Sequence, residues 1–128
     1  MSKLKIYLAS PYSHPEAQVR EYRFAKACVA AGALFKKGYI VFSPIAHTHS
    51  IALKHDLPKG IEFWEELDRS FIEWADAVVV LVIGGTEESK GIAREVEIAN
   101  SLGKRIHYFH LDEIQSFPPE ETYVSQCT

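Results

Sequence analysis

The 128-residue sequence has little cysteine, a single methionine, no long apolar run and no excess of one charge sign. Cys28 sits inside a helical pattern and Cys127 lies beside the end, so the two offer neither a disulfide framework nor zinc-site spacing. That usage points to a reducing, cytoplasmic setting. No stretch of about 18 apolar residues exists to span a membrane. The opening "MSKLKIYLASPYS" carries too short an apolar run for a secretory signal. Fourteen basic side chains against seventeen acidic ones give a net charge of −3 without any basic stripe, which argues against a nucleic-acid groove. Repeats, linkers and low-complexity segments are also missing. A composition of 47% apolar and 24% charged residues then fits one soluble domain over residues 1–128, long enough to bury a core.

Apolar runs alternate with helical periods along the chain. Residues 3–10, "KLKIYLAS", read as a buried strand. Ser13 and Glu16 form a capping box for a helix reaching about Lys37, with Gly38 past its end. Residues 39–44 give a second strand closed by Pro44. Residues 45–60 lack a clear period and read as a long surface loop, with room for one helical turn. An amphipathic helix over 61–76 follows, then "AVVVLVI" (77–83) as a strand buried on both faces. Residues 84–89 are its exit loop, 88–104 a further helix, and 105–110 the last strand. The tail 111–128 is polar, and either packs late or crosses to a neighbouring subunit. This alternation predicts an α/β three-layer sandwich of the flavodoxin-like or Rossmann-like kind, with a mainly parallel sheet of four or five strands. In such sheets ligands bind beyond the carboxyl ends of the strands. That rule selects Ser10, Tyr12 and Ser13 after the first strand, His47 after the second, and Ser89 and Gly91 after the third.

Two carboxylates break the helical pattern. With successive residues about 100° apart, Glu95 falls within the arc formed by Ile92, Val96, Ile98, Ala99 and Leu102. Asp68 falls likewise within the arc of Phe63, Trp64, Leu67, Phe71, Ile72, Trp74 and Ala75. An unpaired buried carboxylate costs several kcal/mol, so each must be partnered, protonated or set on a polar cavity. A structural network, with Glu95 paired to Arg69, Arg94 or a lysine, is one solution. A pair of acidic groups walling a cleft is the other, and the second fits a carboxylate nucleophile attacking an anomeric carbon. Ser89 and Gly91, at a helix start, offer an anion site for a phosphate, although Ser89 is equally a plain N-cap.

His47 and His49, with His55 nearby, lack a third ligand at fixed spacing, so no metal is expected. His47 is instead a candidate substrate contact, and Tyr12 a residue that could stack on a base. Trp64 and Trp74 read as core. Arg20 and Arg23 could reach a phosphate or simply be solvated.

"IYLASPYSHP" (6–15), Asp68 shortly before the Ala75-Asp76 that opens the "VVVL" strand, and "SKGIARE" (89–95) together resemble the nucleoside 2-deoxyribosyltransferase superfamily. Within it, "ASPYSH", "VFSPIAH" and "W…DR" are most similar to a branch of small proteins of unknown function. The resemblance spans roughly residues 4–110. It implies a flavodoxin-like fold, cleavage of an N-glycosidic bond without a cofactor, and a homodimer or higher homo-oligomer. It also implies roles: Glu95 as nucleophile, Asp68 assisting at the base or orienting the sugar, Tyr7 contacting the nucleophile. Ser89 matches a serine of hydrolases acting on nucleoside 5′-monophosphates, which favours a 5′-phosphorylated ligand, while Pro11 and Ser13 stand where those hydrolases use a serine and an arginine. A small-molecule nucleoside or nucleotide is therefore the expected partner. Two alternatives stay open. One is a non-catalytic nucleotide sensor, and the other a phosphoribohydrolase of the cytokinin-activating type, for which "GGTEES" before a helical glutamate is the pointer.

Overall fold

The computed structural model describes residues 3–58 and 61–123. Four strands, β1 (Lys5–Ala9), β2 (Ile40–Phe42), β3 (Ala77–Val82) and β4 (Arg105–His110), form one all-parallel sheet in the order β2-β1-β3-β4. Ile6 aligns with Val41 on one side and Ala77 on the other. Strand side chains alternate between faces, and both faces are covered. Ile6, Leu8, Val79 and Leu81 pack against Ala30 and Leu34 of α1 (Ala17–Lys36). Tyr7, Ala9, Val78 and Val80 pack against Ile72 of α3 (Ile61–Trp74) and Ile92, Ile98 and Ala99 of α4 (Lys90–Ser101). This is the α/β three-layer sandwich that the alternating pattern predicts.

Chain order reverses between β1 and β3. The chain leaves β1 toward β2 at one edge, then crosses to β3 and β4 at the other. A crevice opens at such a reversal, beyond the carboxyl ends of the two strands. Ser10 follows β1 into it and the exit loop of β3 forms its opposite lip.

Three expectations are corrected. Residues 44–55 form a helix, α2 (Pro44–His55), rather than a loop. Ser43 caps it by accepting from Ala46 N at 3.1 Å, and Pro44 occupies the first turn, where its missing N–H costs nothing. The second strand consequently ends at Phe42 and not at Pro44. The first helix starts at Ala17 and has no side-chain cap, because Ser13 lies too early and its carbonyl accepts from Arg23 Nη1 at 2.8 Å. Its C-terminus is as expected, with Gly38 at φ 102 in the left-handed region.

As far as it is described, the tail packs on this domain, the first of the two alternatives. Two short 3-10 turns, Leu111–Ser116 and Glu120–Thr122, bring Ile114, Phe117 and Tyr123 into the α1-side core. Tyr39 donates to Pro118 O at 2.6 Å, and Glu120 N to Lys37 O at 2.9 Å. Residues 124–128, with Cys127, lie outside the described residues. No helix among those described is long and apolar enough to cross a membrane.

Candidate active site

A cavity of about 480 Å³ opens at the crevice, walled by the segment after β1 and by α2, α3 and α4. Its size is that of a small-molecule site. Glu95 reaches it from α4 and Asp68 from α3. Tyr7 does not line it: it is fully buried, and its hydroxyl donates to Glu95 Oε2. The Asp68 carboxylate lies near enough to the same hydroxyl for each to shift the other's proton affinity.

The geometry follows from the helical registers noted in the sequence. Glu95 lies in the apolar stripe that packs α4 on the sheet, next to Ile92, Ile98 and Ala99, so its carboxyl is driven inward with them. Asp68 does the same on α3, one turn before the buried Ile72. Tyr7 points to this face because β1 alternates, Ile6 and Leu8 facing the other way. Burial pushes Glu95 up to about 8, with the Asp68 charge adding to the rise and the Tyr7 hydrogen bond opposing it. Burial likewise pushes Asp68 up to about 6, opposed by Tyr7 and reinforced by Glu65. The Tyr7 phenol is held well above its ordinary value by burial and by both carboxylates. No basic side chain among the described residues neutralises Glu95. Arg94 pairs instead with Glu65, and with Glu97 at 3.2 Å.

Ser10, Tyr12 and Ser13 line the cavity, as do Ser89 and Gly91. Ser10 is 5% exposed and its Oγ has no hydrogen-bond partner among the described residues. Ser89 is the N-cap of α4, accepting from Ile92 N at 3.1 Å. A Cβ at Gly91 would meet only Ser89 Oγ, at 3.7 Å, so packing does not demand glycine there.

His47 is the exception. It is exposed and packs against Phe42, with ring centroids 5.6 Å apart, away from the cavity. His49 lines the wall in its place. Two residues on, an α-helix has turned about 200°, so a segment that is helical rather than irregular points only one of the pair inward.

Residues 4–111 match the family described as "Domain of unknown function (DUF1937)". The chain belongs to that family. A solved structure, the 2-deoxyribosyltransferase of the psychrotolerant bacterium Bacillus psychrosaccharolyticus, a biocatalyst for nucleoside synthesis, is similar in fold to this DUF1937 member. The two share 26% identity at a TM-score of 0.57, over 83% of this chain and 72% of that one. The DUF1937 chain thus has a nucleoside 2-deoxyribosyltransferase-like fold. No curated protein matches it.

Further cavity residues of this family member escape the sequence reading. Trp64 faces the cavity rather than the core, its Nε1 donating to Pro58 O at 2.8 Å. Glu65 and Arg94, an ion pair between α3 and α4, stand at its edge. Both residues sit on helical faces that look solvated in one dimension, and only the meeting of two helices makes them a wall. Arg20 and Arg23 are turned to the loop, donating to the carbonyls of His14 and Ser13 respectively.

Proposed function

We propose that the chain cleaves the N-glycosidic bond of a nucleoside, with Glu95 as the nucleophile. The observation that carries this reading is a buried, cation-free Glu95 that accepts from the Tyr7 hydroxyl and shares one cavity wall with the electrostatically coupled Asp68. The nucleoside-processing activity of the structurally similar deoxyribosyltransferase supports it.

Two acidic groups this close titrate as a pair. With one group near 8 and the other near 6, the pair holds a single proton at neutral pH. The higher affinity keeps that proton mainly on Glu95, and the reactive form is the one in which it has passed to Asp68. Glu95, as carboxylate, attacks C1′ and forms a glycosyl–oxygen bond while the C1′–nitrogen bond breaks. The electron pair of the broken bond goes to the base nitrogen, which takes the proton from Asp68. Positive charge developing on the sugar favours the ionised Glu95 and so draws the proton toward Asp68. Water or a second base then attacks C1′ and releases Glu95.

The wall also bears on the sugar's 5′ end. Asp56, Glu65, Asp68, Glu88 and Glu95 line the cavity against Lys90 and Arg94, and Arg94 is already engaged. Arg20 and Arg23 hold the loop instead of facing a phosphate. A neutral nucleoside suits this wall better than its 5′-monophosphate. The unpartnered Ser10 hydroxyl is a contact for it, since a buried hydroxyl left unmatched costs about 1–3 kcal/mol.

Incubation with a panel of 2′-deoxynucleosides and their 5′-monophosphates, followed by chromatography for free base, tests this. Base release from the nucleosides that disappears in Glu95→Ala is expected. Release by Glu95→Ala at the wild-type rate overturns the mechanism.

A further inference from the structure

Opposite the carboxylate pair, the cavity wall carries a second hydrogen-bonded chain. His49, on α2 and only 4% exposed, holds its Nε2 2.9 Å from Glu21 Oε1 and its Nδ1 2.6 Å from the Tyr12 hydroxyl. The ring is stacked on Phe24, centroids 4.2 Å apart, which fixes its plane. Tyr12 meets it edge-on at 5.4 Å. Tyr12 and His49 both line the cavity, whereas Glu21 stands on the outer side of α1 with 59% of its side chain exposed.

We infer that the chain Glu21–His49–Tyr12 presents the Tyr12 hydroxyl oxygen to the cavity as a hydrogen-bond acceptor, so that Tyr12 selects ligands bearing an N–H or O–H donor. A carboxylate can only accept, so the Nε2 facing Glu21 carries a hydrogen. In the neutral imidazole Nδ1 is then bare and accepts the Tyr12 proton. Burial raises the Tyr12 phenol above its ordinary value, with Arg20 opposing and Glu21 adding, so the proton stays on the phenol for Nδ1 to receive. Committed to His49, that O–H cannot be offered to a ligand. The oxygen's lone pairs remain. Had the imidazole been protonated, Nδ1 would donate to Tyr12 and the phenol O–H would turn outward, reversing the selection. Glu21 and His49 are positioning residues here, acting only through Tyr12.

The donor belongs to the base, as an exocyclic amine, or to the sugar, as a hydroxyl. The choice of nucleoside probes rests on the function proposed above, but the hydrogen-bonded chain does not. Nitrogen-15 NMR of histidine-labelled protein at pH 7.5 reads the tautomer directly. His49 is expected to be protonated at Nε2 alone, and to remain so in Glu21→Gln, whose amide oxygen still accepts. Glu21→Ala, altered at an exposed position, is expected to populate both tautomers. Calorimetry then compares wild type with Tyr12→Phe, which is expected to bind 2′-deoxyadenosine about tenfold more weakly. If the base amine is the donor, purine 2′-deoxyriboside binds both proteins alike. If a sugar hydroxyl is, that probe weakens too, and 2′,3′- or 2′,5′-dideoxyadenosine removes the difference. A doubly protonated His49, an Nδ1–H tautomer, or Tyr12→Phe matching wild type on every probe overturns the inference. Wild-type binding without base release would sink the proposed reaction alone. A wild type that binds no probe sinks both.

Discussion

The Tyr7 hydroxyl donates to Glu95 across the interface between the sheet and α4, joining residues 88 positions apart in the chain. Tyr7 belongs to a strand buried on both faces and Glu95 to a helix stripe that is otherwise apolar. Their bond places a phenol where an ion pair would ordinarily neutralise a buried carboxylate. Glu95 therefore keeps its raised proton affinity, and the Asp68 charge adds to it.

Tyr7→Phe removes the one hydrogen bond that lowers the proton affinity of both carboxylates. Base release at pH 7 should fall by roughly tenfold, the scale of a charge-assisted hydrogen bond. The upper limb of the pH–rate profile should move to higher pH. Initial rates measured from pH 5 to 10 check both. A variant with the wild-type profile would mean that Tyr7 does not touch the reacting proton.

The pH–rate profile of the wild type should be bell-shaped. Below about 6 both carboxyls are protonated and no nucleophile remains; above about 8 both are ionised and the leaving base receives no proton. The plateau between these limits is the single-proton state. In the steady state, kcat/KM against pH gives the two limbs for the free protein, and a rate that keeps rising to pH 10 would contradict the scheme.

Glu95 also makes stability depend on pH, with a definite sign. Its proton affinity is higher folded than unfolded, so its stabilising contribution is complete below the ordinary glutamate range. That contribution drains away as pH rises from about 4.5 through about 8. Glu95→Gln stays neutral throughout and should be more stable than wild type at pH 8, by roughly 1–3 kcal/mol. Near pH 4.5 the two should converge. Urea unfolding at the two pH values measures it, and a variant less stable at pH 8 than at pH 4.5, relative to wild type, would reverse the sign.

Phe117 is 1% exposed and packs against Tyr39, Phe109 and Tyr123. Phe117→Ala should cost about 3–5 kcal/mol. A loss under 1 kcal/mol in urea unfolding would mean that the tail does not belong to the core.

Much of the architecture is legible in one dimension. "AVVVLVI" could only be a strand covered on both sides, and a sheet of such strands has to be parallel and wrapped in helices. Asp68 and Glu95 stand out because the rest of each helix is so regular. The segment after the second strand is opaque for the opposite reason. Among its described residues α2 buries only Pro44 and His49, so no apolar stripe announces a helix, and its capping serine hides inside what reads as a strand end. Without the helix, nothing chooses between His47 and His49. Ile114, Phe117 and Tyr123 are too sparse among polar neighbours to signal a core contribution.

Periodicity is a property of neighbours in the chain, and from it alone came the order of elements, the parallel sheet and the two carboxylates turned toward the core. Which groups meet is a property of packing between distant segments. Only the folded chain brings Asp68 and Glu95 to one cavity, sends Arg94 to Glu65 instead of Glu95, and sets His49 between Glu21 and Tyr12. No local pattern encodes those meetings, because each depends on where three or four elements stop and how they lie across the sheet.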